Sequence, residues 1–325
     1  MSMSMLISKK IKEVNSDNKV NPNIFISILS KIPADDWINY ADITKKISMV
    51  SKESREAITN NKLPTVIKIN RKWYNRNRNR NRNSNEQIIN NLIKTSTWCF
   101  IFKLDLSHCC IRTENLISFL EHCEKVVNLN LSGNHIGQTL SNNLEIILTK
   151  CTKLQHLNLS HNYIEGYYFR NKIESPIILQ NTTYALQFLD LSYNFIGQSI
   201  SNNLIPMLSK CNLLEYIDLS YNNIGQTILK KISILFIQYS KLRCLNLNFN
   251  FIGDSGIEYL TNVLAQYKAL THLHLRNNYI EKIGFNSIIR VLKQHIDLKL
   301  SHIDLFDNNI EENGEKILAE LLKKN

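Results

Sequence analysis

The chain has 325 residues, of which 43% are hydrophobic and 21% charged, and it carries a formal net charge of +11. This composition excludes a wholly disordered chain, and the length is sufficient for an extended repeat domain and one small additional domain. No apolar run is long enough to cross a bilayer, and residues 1–17 lack the apolar core of a signal peptide. We therefore expect a cytoplasmic protein without a membrane partner.

The N-terminal part is predicted to contain a polar basic tail over residues 1–20 and a small helical domain over residues 21–62. The first helix of this domain is bounded by prolines and carries apolar residues at helical spacing: Pro22, Ile24, Ile28, Leu29, Ile32 and Pro33. A second helical pattern ends near Val50 and contains Ile43 and Ile47. These stripes predict a compact all-α unit.

Residues 21–62 resemble an F-box, a short helical domain that begins with a leucine-proline pair. The resemblance rests on Pro22, Ile28, Leu29, Ile32, Pro33 and Val50. It implies that these residues bind a Skp-family adaptor of a cullin-RING ubiquitin ligase. The segment departs from the F-box pattern at Asn21 and Ser54, where leucine and tryptophan are expected. The alternative is that the helices only cap the apolar end of the repeat array that follows.

Residues 63–94 form a predicted linker that is basic and rich in asparagine and arginine. Most of the excess positive charge of the chain lies in residues 1–94, and Arg76, Arg78, Arg80 and Arg82 alternate with asparagines. An extended chain would place these arginines on one side, where they could meet phosphates. No aromatic residue interleaves with them to stack on bases, so a solvated linker is favoured and nucleic acid is not the expected partner.

A repeated phrase organises residues 95–325. Its clearest copy, LQFLDLSYNFIG, runs from Leu186 to Gly197, and about eight copies recur at intervals of about 28 residues. Leu189 and Leu191 alternate with polar residues at the period of a strand, and Asn194 is predicted to turn the chain. Apolar residues at helical spacing follow in most copies. The pattern predicts an α/β solenoid with a curved parallel sheet inside and helices outside.

The frame resembles leucine-rich repeats, both the ribonuclease-inhibitor class and the cysteine-containing class found in F-box proteins. The second likeness rests on Cys123, Cys151 and Cys211, each three residues before the first apolar position of a copy. We expect these cysteines to be buried, reduced thiols. The resemblance implies a protein-binding scaffold rather than an enzyme.

Together, the two resemblances imply the substrate-recognition subunit of a Skp-cullin-RING ubiquitin ligase. A chain of this size and composition also resembles effectors that bacteria deliver into the host cytosol without a conventional signal peptide. The alternative is an interaction scaffold or inhibitor that is not coupled to ubiquitination.

The strand frame predicts which residues face a protein partner. Two sets of side chains are expected at the centre of the array, on the concave face and at the strand ends: Phe188, Asp190, Tyr216 and Asp218 in the first, and Tyr193, Phe195, Tyr221, Phe249 and Phe251 in the second. Aromatic residues are enriched at interface hot spots. The alternative for Tyr193, Tyr221 and Phe249 is that they pack on one another and stabilise the edge of the sheet.

No catalytic constellation is predicted, and neither a cofactor nor a metal is expected. Asp190 and Asp218 could mimic a carboxylate pair, but an acidic column on a solvated sheet face is the more common arrangement. His272, His274, His302 and Asp304 fall on neighbouring predicted strands, within reach of a zinc ion. A solvent-exposed histidine patch is the favoured interpretation of this cluster.

Overall fold

The architecture is taken from a computed structural model of the chain. The structure describes residues 65–68, 101–108, 120, 123–134, 136, 147–164, 183–198, 204–295, 297–311 and 313–323. The F-box-like segment lies outside the described residues, and with it the predicted adaptor-binding residues Pro22, Ile28, Leu29, Ile32, Pro33 and Val50.

A parallel sheet of nine strands runs through the described chain, and the strands follow one another in sequence order. The strands are β1 Thr65–Lys68, β2 Ile101–Asp105, β3 Asn128–Asn130, β4 His156–Asn158, β5 Phe188–Asp190, β6 Tyr216–Asp218, β7 Cys244–Asn246, β8 His272–His274 and β9 His302–Asp304. Equivalent frame positions pair directly, as Leu189 does with Leu157 on one side and Ile217 on the other. The predicted α/β solenoid is confirmed.

The first strand corrects one predicted boundary. Residues 63–94 were expected to be a linker, yet Thr65–Lys68 forms β1 and pairs with β2, with Val66 opposite Lys103 and Ile67 opposite Leu104. The physical reason is local, because the sequence TVIK contains β-branched residues that favour an extended backbone. The arginine-rich composition further along the segment masks this short strand in the sequence.

Helices follow the strands on the outside of the sheet. Those within the described residues are α1 Leu204–Ser209, α2 Gln226–Phe236, α3 Gly253–Leu264, α4 Lys282–Gln294 and α5 Gly314–Leu322, and a 3-10 turn spans Ile196–Gln198. The predicted apolar faces are buried, as Ile257, Leu260 and Leu264 of α3 show. Consecutive helices therefore pack side by side on the same core as the strands.

Rows of equivalent side chains form the hydrophobic core. In β5 the central Leu189 is fully buried and its two neighbours are half-buried, and the same pattern recurs in β3, β4, β6 and β7. Cys123, Cys151 and Cys211 are buried thiols, as the sequence predicts. Burial raises the pKa of the Cys211 thiol to about 12, so it remains protonated near neutral pH.

Asparagines at one frame position form a continuous ladder, which we call the asparagine ladder: Asn134, Asn162, Asn194, Asn222, Asn250, Asn278 and Asn308. All of them are buried except Asn308, which is half-buried. Asn222 shows the pattern, because its Nδ2 donates to the carbonyl oxygens of Leu191 and Leu219 at 2.8 and 3.0 Å. Its Oδ1 accepts the backbone N–H of Asn194 at 3.1 Å. Each asparagine therefore satisfies backbone groups in its own repeat and in the preceding one.

Candidate functional site

The residue before each ladder asparagine adopts the left-handed backbone conformation. Tyr193, Tyr221 and Phe249, which precede ladder asparagines, have φ values of 53°, 55° and 57°. Bulky side chains rarely occupy this region, which costs about 1 kcal/mol or more relative to glycine. Better-tolerated residues stand at the same frame position elsewhere: Gly133, Asn277 and Asp307. The aromatic residues in the central repeats are therefore not required by the backbone.

The side chains before the ladder stack into a column, which we call the first row: His161, Tyr193, Tyr221 and Phe249. The ring centroids of Tyr193 and Tyr221 are 4.0 Å apart, and those of Tyr221 and Phe249 are 4.2 Å apart. His161 extends the column, with its ring 4.1 Å from that of Tyr193. The stacking that the sequence left open as an alternative is the arrangement observed.

The side chains after the ladder form a second row: Tyr163, Phe195, Asn223, Phe251 and Tyr279. Its rings pair at wider spacing, with 5.6 Å between the centroids of Tyr163 and Phe195 and 5.5 Å between those of Phe251 and Tyr279. Asn223 stands between the two pairs, so the second row is interrupted in the middle of the array. Sequence reasoning identified Phe195 and Phe251 but missed Tyr163, Asn223 and Tyr279. The signal was available, because all five directly follow a ladder asparagine.

The two rows line an open groove along the strand-end edge of the sheet, which we call the aromatic groove. Its volume is about 610 Å³, and it extends from His108 to Asn277. The hydroxyl-bearing Tyr193 and Tyr221 are 43% and 37% exposed, so the first row is accessible from solvent. The pKa of Tyr193 is raised to about 12, first by burial and then by the neighbouring hydroxyl of Tyr221. Tyr193 is therefore protonated at physiological pH.

The concave face carries a second aromatic surface. Phe188 and Tyr216 lie on adjacent strands with nearly parallel rings whose centroids are 4.4 Å apart. His156 on the preceding strand continues the stack at 5.9 Å from Phe188. Burial, followed by the charge of Lys103, lowers the pKa of His156, which favours the neutral imidazole. We call Phe188 and Tyr216 the concave pair.

The acidic residues beside the concave pair cap turns. Oδ1 of Asp190 accepts the backbone N–H of Ser192 at 2.9 Å, and Oδ1 of Asp218 accepts that of Ser220 at 2.8 Å. The equivalent residue acts in the same way in most repeats, for example Asn158 with Ser160. The sequence-based prediction placed this column on the partner-binding face and gave it no role in the turns. An Asp or Asn two residues before a serine is the local signal that identifies such a capping turn.

The electrostatics of these carboxylates follow from burial. Burial raises the pKa of Asp190, the backbone N–H of Ser192 opposes the shift, and the charge of Asp218 adds to it. Oδ2 of Asp218 accepts hydrogen bonds from the Tyr216 hydroxyl at 3.1 Å and from Asn246 Nδ2 at 2.7 Å. Because both Asp218 oxygens already have donors, this carboxylate is arranged to orient neighbours rather than to transfer protons.

The histidine cluster occupies the last two strands. His274 stands where other repeats place an Asp or Asn, and Oδ1 of Asn248 in the preceding repeat accepts the Arg276 N–H at 2.7 Å instead. The His274 ring lies 6.4 Å from that of His272 and 5.4 Å from that of His302. Within the described residues, no group of three or more His, Cys, Asp or Glu side chains is arranged to hold a metal ion.

The predicted partner-binding residues therefore divide between two surfaces. Phe188, Asp190, Tyr216 and Asp218 come together on the concave face, whereas Tyr193, Phe195, Tyr221, Phe249 and Phe251 line the aromatic groove. Within the part of the chain that the structure describes, no helix is long and apolar enough to cross a membrane.

The repeats match a known family model. Residues 150–166, 210–233 and 240–260 match the family described as leucine-rich repeat. A search of curated proteins found no significant match.

Solved structures with similar folds share little sequence with this chain. An internalin from Listeria monocytogenes is 20% identical and covers 69% of this chain and 66% of its own, with a TM-score of 0.39. The leucine-rich repeat-containing protein LegL7 from Legionella pneumophila is 21% identical and covers 69% and 72%, with a TM-score of 0.42. Human 5T4 is 17% identical and covers 57% and 61%, with a TM-score of 0.40. Similarity at this level carries no information about function. The repeat frame, the asparagine ladder and the match of three segments to the leucine-rich repeat model together identify the fold as a leucine-rich-repeat solenoid.

Proposed function

We propose that the protein is a non-enzymatic receptor that binds a protein partner through the concave pair and its flanking carboxylates. The observation that carries the proposal is the nearly parallel stack of Phe188 and Tyr216, with centroids 4.4 Å apart on adjacent strands. Stacking and the Tyr216–Asp218 hydrogen bond restrict both rings before any partner arrives. Binding then loses little side-chain entropy, and restricted aromatic residues suit an interface hot spot.

The two carboxylates favour one orientation of a partner bound to this surface. Asp190 and Asp218 lie side by side in register at the ends of their strands, next to the concave pair. Their turn hydrogen bonds fix the positions of the negative charges. A partner that presents an apolar side chain flanked by Lys or Arg would complement this surface, because paired charges orient a complex and suppress wrong partners.

The test compares variants of the same strand position. The partner is isolated by cross-linking to the intact protein, and its affinity is then measured by calorimetry. We expect Phe188→Ala and Tyr216→Ala each to weaken binding by about 2 kcal/mol or more. Asn128→Ala is the matched control, because Asn128 occupies the equivalent position in β3. Equal losses of unfolding free energy and binding free energy in the two aromatic variants would show that the rings are structural.

The second part of the proposal concerns residues 21–62. We propose that this F-box-like segment binds a Skp-family adaptor, so that the solenoid selects a target for a cullin-RING ubiquitin ligase. Its position before a solenoid with buried Cys123, Cys151 and Cys211 supports this reading. Delivery of the protein into a host cell as a bacterial effector is a further proposal, which rests on the composition of the chain.

A pull-down with purified adaptor tests the ligase proposal. We expect capture by the intact protein and loss of capture on removal of residues 1–62 or with Pro33→Ala, with an unchanged unfolding transition of the solenoid. An intact protein that captures no adaptor at micromolar concentration would contradict the proposal. The function would then be that of an interaction scaffold or inhibitor, with residues 21–62 serving as a cap.

A further inference from the structure

The interruption in the second row creates a slot in the aromatic groove. Phe195 and Phe251 belong to repeats on either side of the one that contains Asn223. The measured step along this row is about 5.5 Å per repeat, which places the two phenylalanine rings roughly 11 Å apart. Tyr221 of the first row borders the groove beside this slot. The slot is therefore walled by two aromatic residues and bordered by a third.

The width of the slot selects the shape of its occupant. A flat ring between two parallel aromatic rings needs a separation of roughly 7 Å, or two stacking distances. At roughly 11 Å, the slot is too wide for a nucleobase or a flat side chain to contact both walls. A puckered saturated ring with its attached backbone is thicker and fills more of this width. In the first row, the rings cover one another's faces at 4.0 to 4.2 Å. That row presents ring edges and hydroxyl groups rather than open faces.

The charge of the groove narrows the ligand class further. Among the described residues that line it there is no Lys, Arg, Asp or Glu. A nucleic acid would require cations along its phosphates. The lining instead offers aromatic carbon, the Tyr193 and Tyr221 hydroxyls and asparagine amides. An uncharged ligand with apolar rings and exposed carbonyl acceptors complements this composition.

A polyproline II helix has these properties and a matching period. It advances about 3.1 Å per residue and completes a turn in three residues, so equivalent side chains recur about every 9.3 Å. This distance is close to two steps of the second row. The backbone carbonyls of such a helix have no internal partners and can accept hydrogen bonds from the tyrosine hydroxyls. Grooves lined by aromatic residues are a recurring site for segments of this kind.

We propose that the aromatic groove binds a proline-rich segment of a partner protein in the polyproline II conformation, with a proline ring between Phe195 and Phe251. This inference deepens the proposed function, that of a protein-binding solenoid, by naming the chemistry of one partner segment. The site lies at the strand-end edge and is separate from the concave pair. Loss of peptide binding at the aromatic groove can therefore be distinguished from loss of partner binding at the concave pair.

The test fills the slot. A fluorescein-labelled peptide with prolines at every third position is titrated with the protein, and anisotropy is recorded. We expect Asn223→Tyr to continue the second row and weaken peptide binding about tenfold or more, because the slot then holds a ring. Tyrosine is tolerated at this frame position, as Tyr279 shows with a φ of 58°. Asn309→Tyr is the matched control, since Asn309 has the same frame position in the last repeat, and its affinity should stay within about twofold.

Two further protein variants and an altered peptide test the same proposal. Phe251, which is 55% exposed, supplies a second variant, and Phe251→Ala should also weaken binding because it removes one wall of the slot. Phe188→Ala should leave peptide affinity unchanged. A peptide with alanine in place of each proline should bind at least about tenfold more weakly. Equal affinity for both peptides, unchanged affinity in Asn223→Tyr, or binding of a neutral oligosaccharide in place of the peptide would overturn the proposal.

Discussion

The asparagine ladder and the first aromatic row run side by side along the sheet, yet they differ in burial and in constancy. Asn194 and Asn222 are buried and make the same hydrogen bonds as their equivalents in other repeats. Tyr193 and Tyr221, one residue earlier, are exposed, and their equivalents include Gly133 and Asn277. One position is fixed by backbone groups that must be satisfied, whereas its neighbour is free to vary.

The difference shows which positions of such a repeat protein can vary without loss of the fold. Each ladder side chain forms hydrogen bonds with several buried backbone groups, so substitution there removes several hydrogen bonds and leaves a buried N–H unpaired. Tyr221 of the first row, in contrast, stacks on Tyr193 and Phe249 and is exposed to solvent. We therefore propose that the aromatic residues at left-handed positions in the central repeats serve in binding. Stability measurements on variants of adjacent residues test this difference between the two positions.

The largest effect is expected for Asn222→Ala. The change leaves the buried backbone N–H of Asn194 without its partner. It also removes one of the two amide donors to each of the carbonyl oxygens of Leu191 and Leu219, which still accept from Asn194 and Asn250. We expect a loss of about 2 to 4 kcal/mol in the free energy of unfolding, measured by urea denaturation. Asn309→Ala, an exposed asparagine, serves as the control. A loss below about 1 kcal/mol would show that the ladder is not the main constraint.

A much smaller effect is expected for Tyr221→Gly, one residue away. It removes two stacked contacts, at 4.0 and 4.2 Å, each worth about 0.5 to 1.5 kcal/mol. It also relieves the cost of about 1 kcal/mol or more for a side chain at positive φ. The net loss of unfolding free energy should stay below about 2 kcal/mol. Tyr221→Ala lacks the relief and should be the less stable of the two, so the reverse order would refute the balance.

The smallest effect is the pH dependence that His274 gives to the free energy of unfolding. His274 occupies the strand position at which Asp or Asn caps the turn in other repeats. The pKa of His274 is lowered from 6.5, first by burial and then by the positive charge of His302, while Asp304 opposes the shift. Below pH 6.5 the unfolded chain binds a proton more readily than the folded one, so this contribution is present above that pH and is lost as the pH falls. His156 behaves in the same direction.

Denaturation at pH 7.5 and at pH 5.5 measures this contribution. We expect the wild type to lose more stability between the two pH values than His274→Asn does. Asparagine is the residue that β7 carries at this position, where Asn246 caps its turn. The remaining dependence should fall again when His156 is also replaced. An identical pH dependence in His274→Asn and in the wild type would contradict the role of His274.

Particular residues show how far the sequence predicts this structure. The alternation around Leu189 and Leu191 is local, so it predicts the strand and its buried side. The helical spacing in α3 predicts that its apolar face is buried, and Ile257 and Leu260 confirm this. β1 was missed because a four-residue strand has too few positions to show a period. The turn-capping role of Asp190 and Asp218 was missed although the following serines signal it.

The repeat frame, the faces of strands and helices and the ladder asparagines are predictable from the sequence, because each depends on residues close together in the chain. The contacts between equivalent residues of neighbouring repeats follow only from the fold, because repeats of 28 to 32 residues must first be brought into register. Gly197 shows the limit, since a Cβ there would lie 1.8 Å from the Asn223 carbonyl oxygen in the next repeat. The slot between Phe195 and Phe251 likewise exists only after neighbouring repeats are stacked.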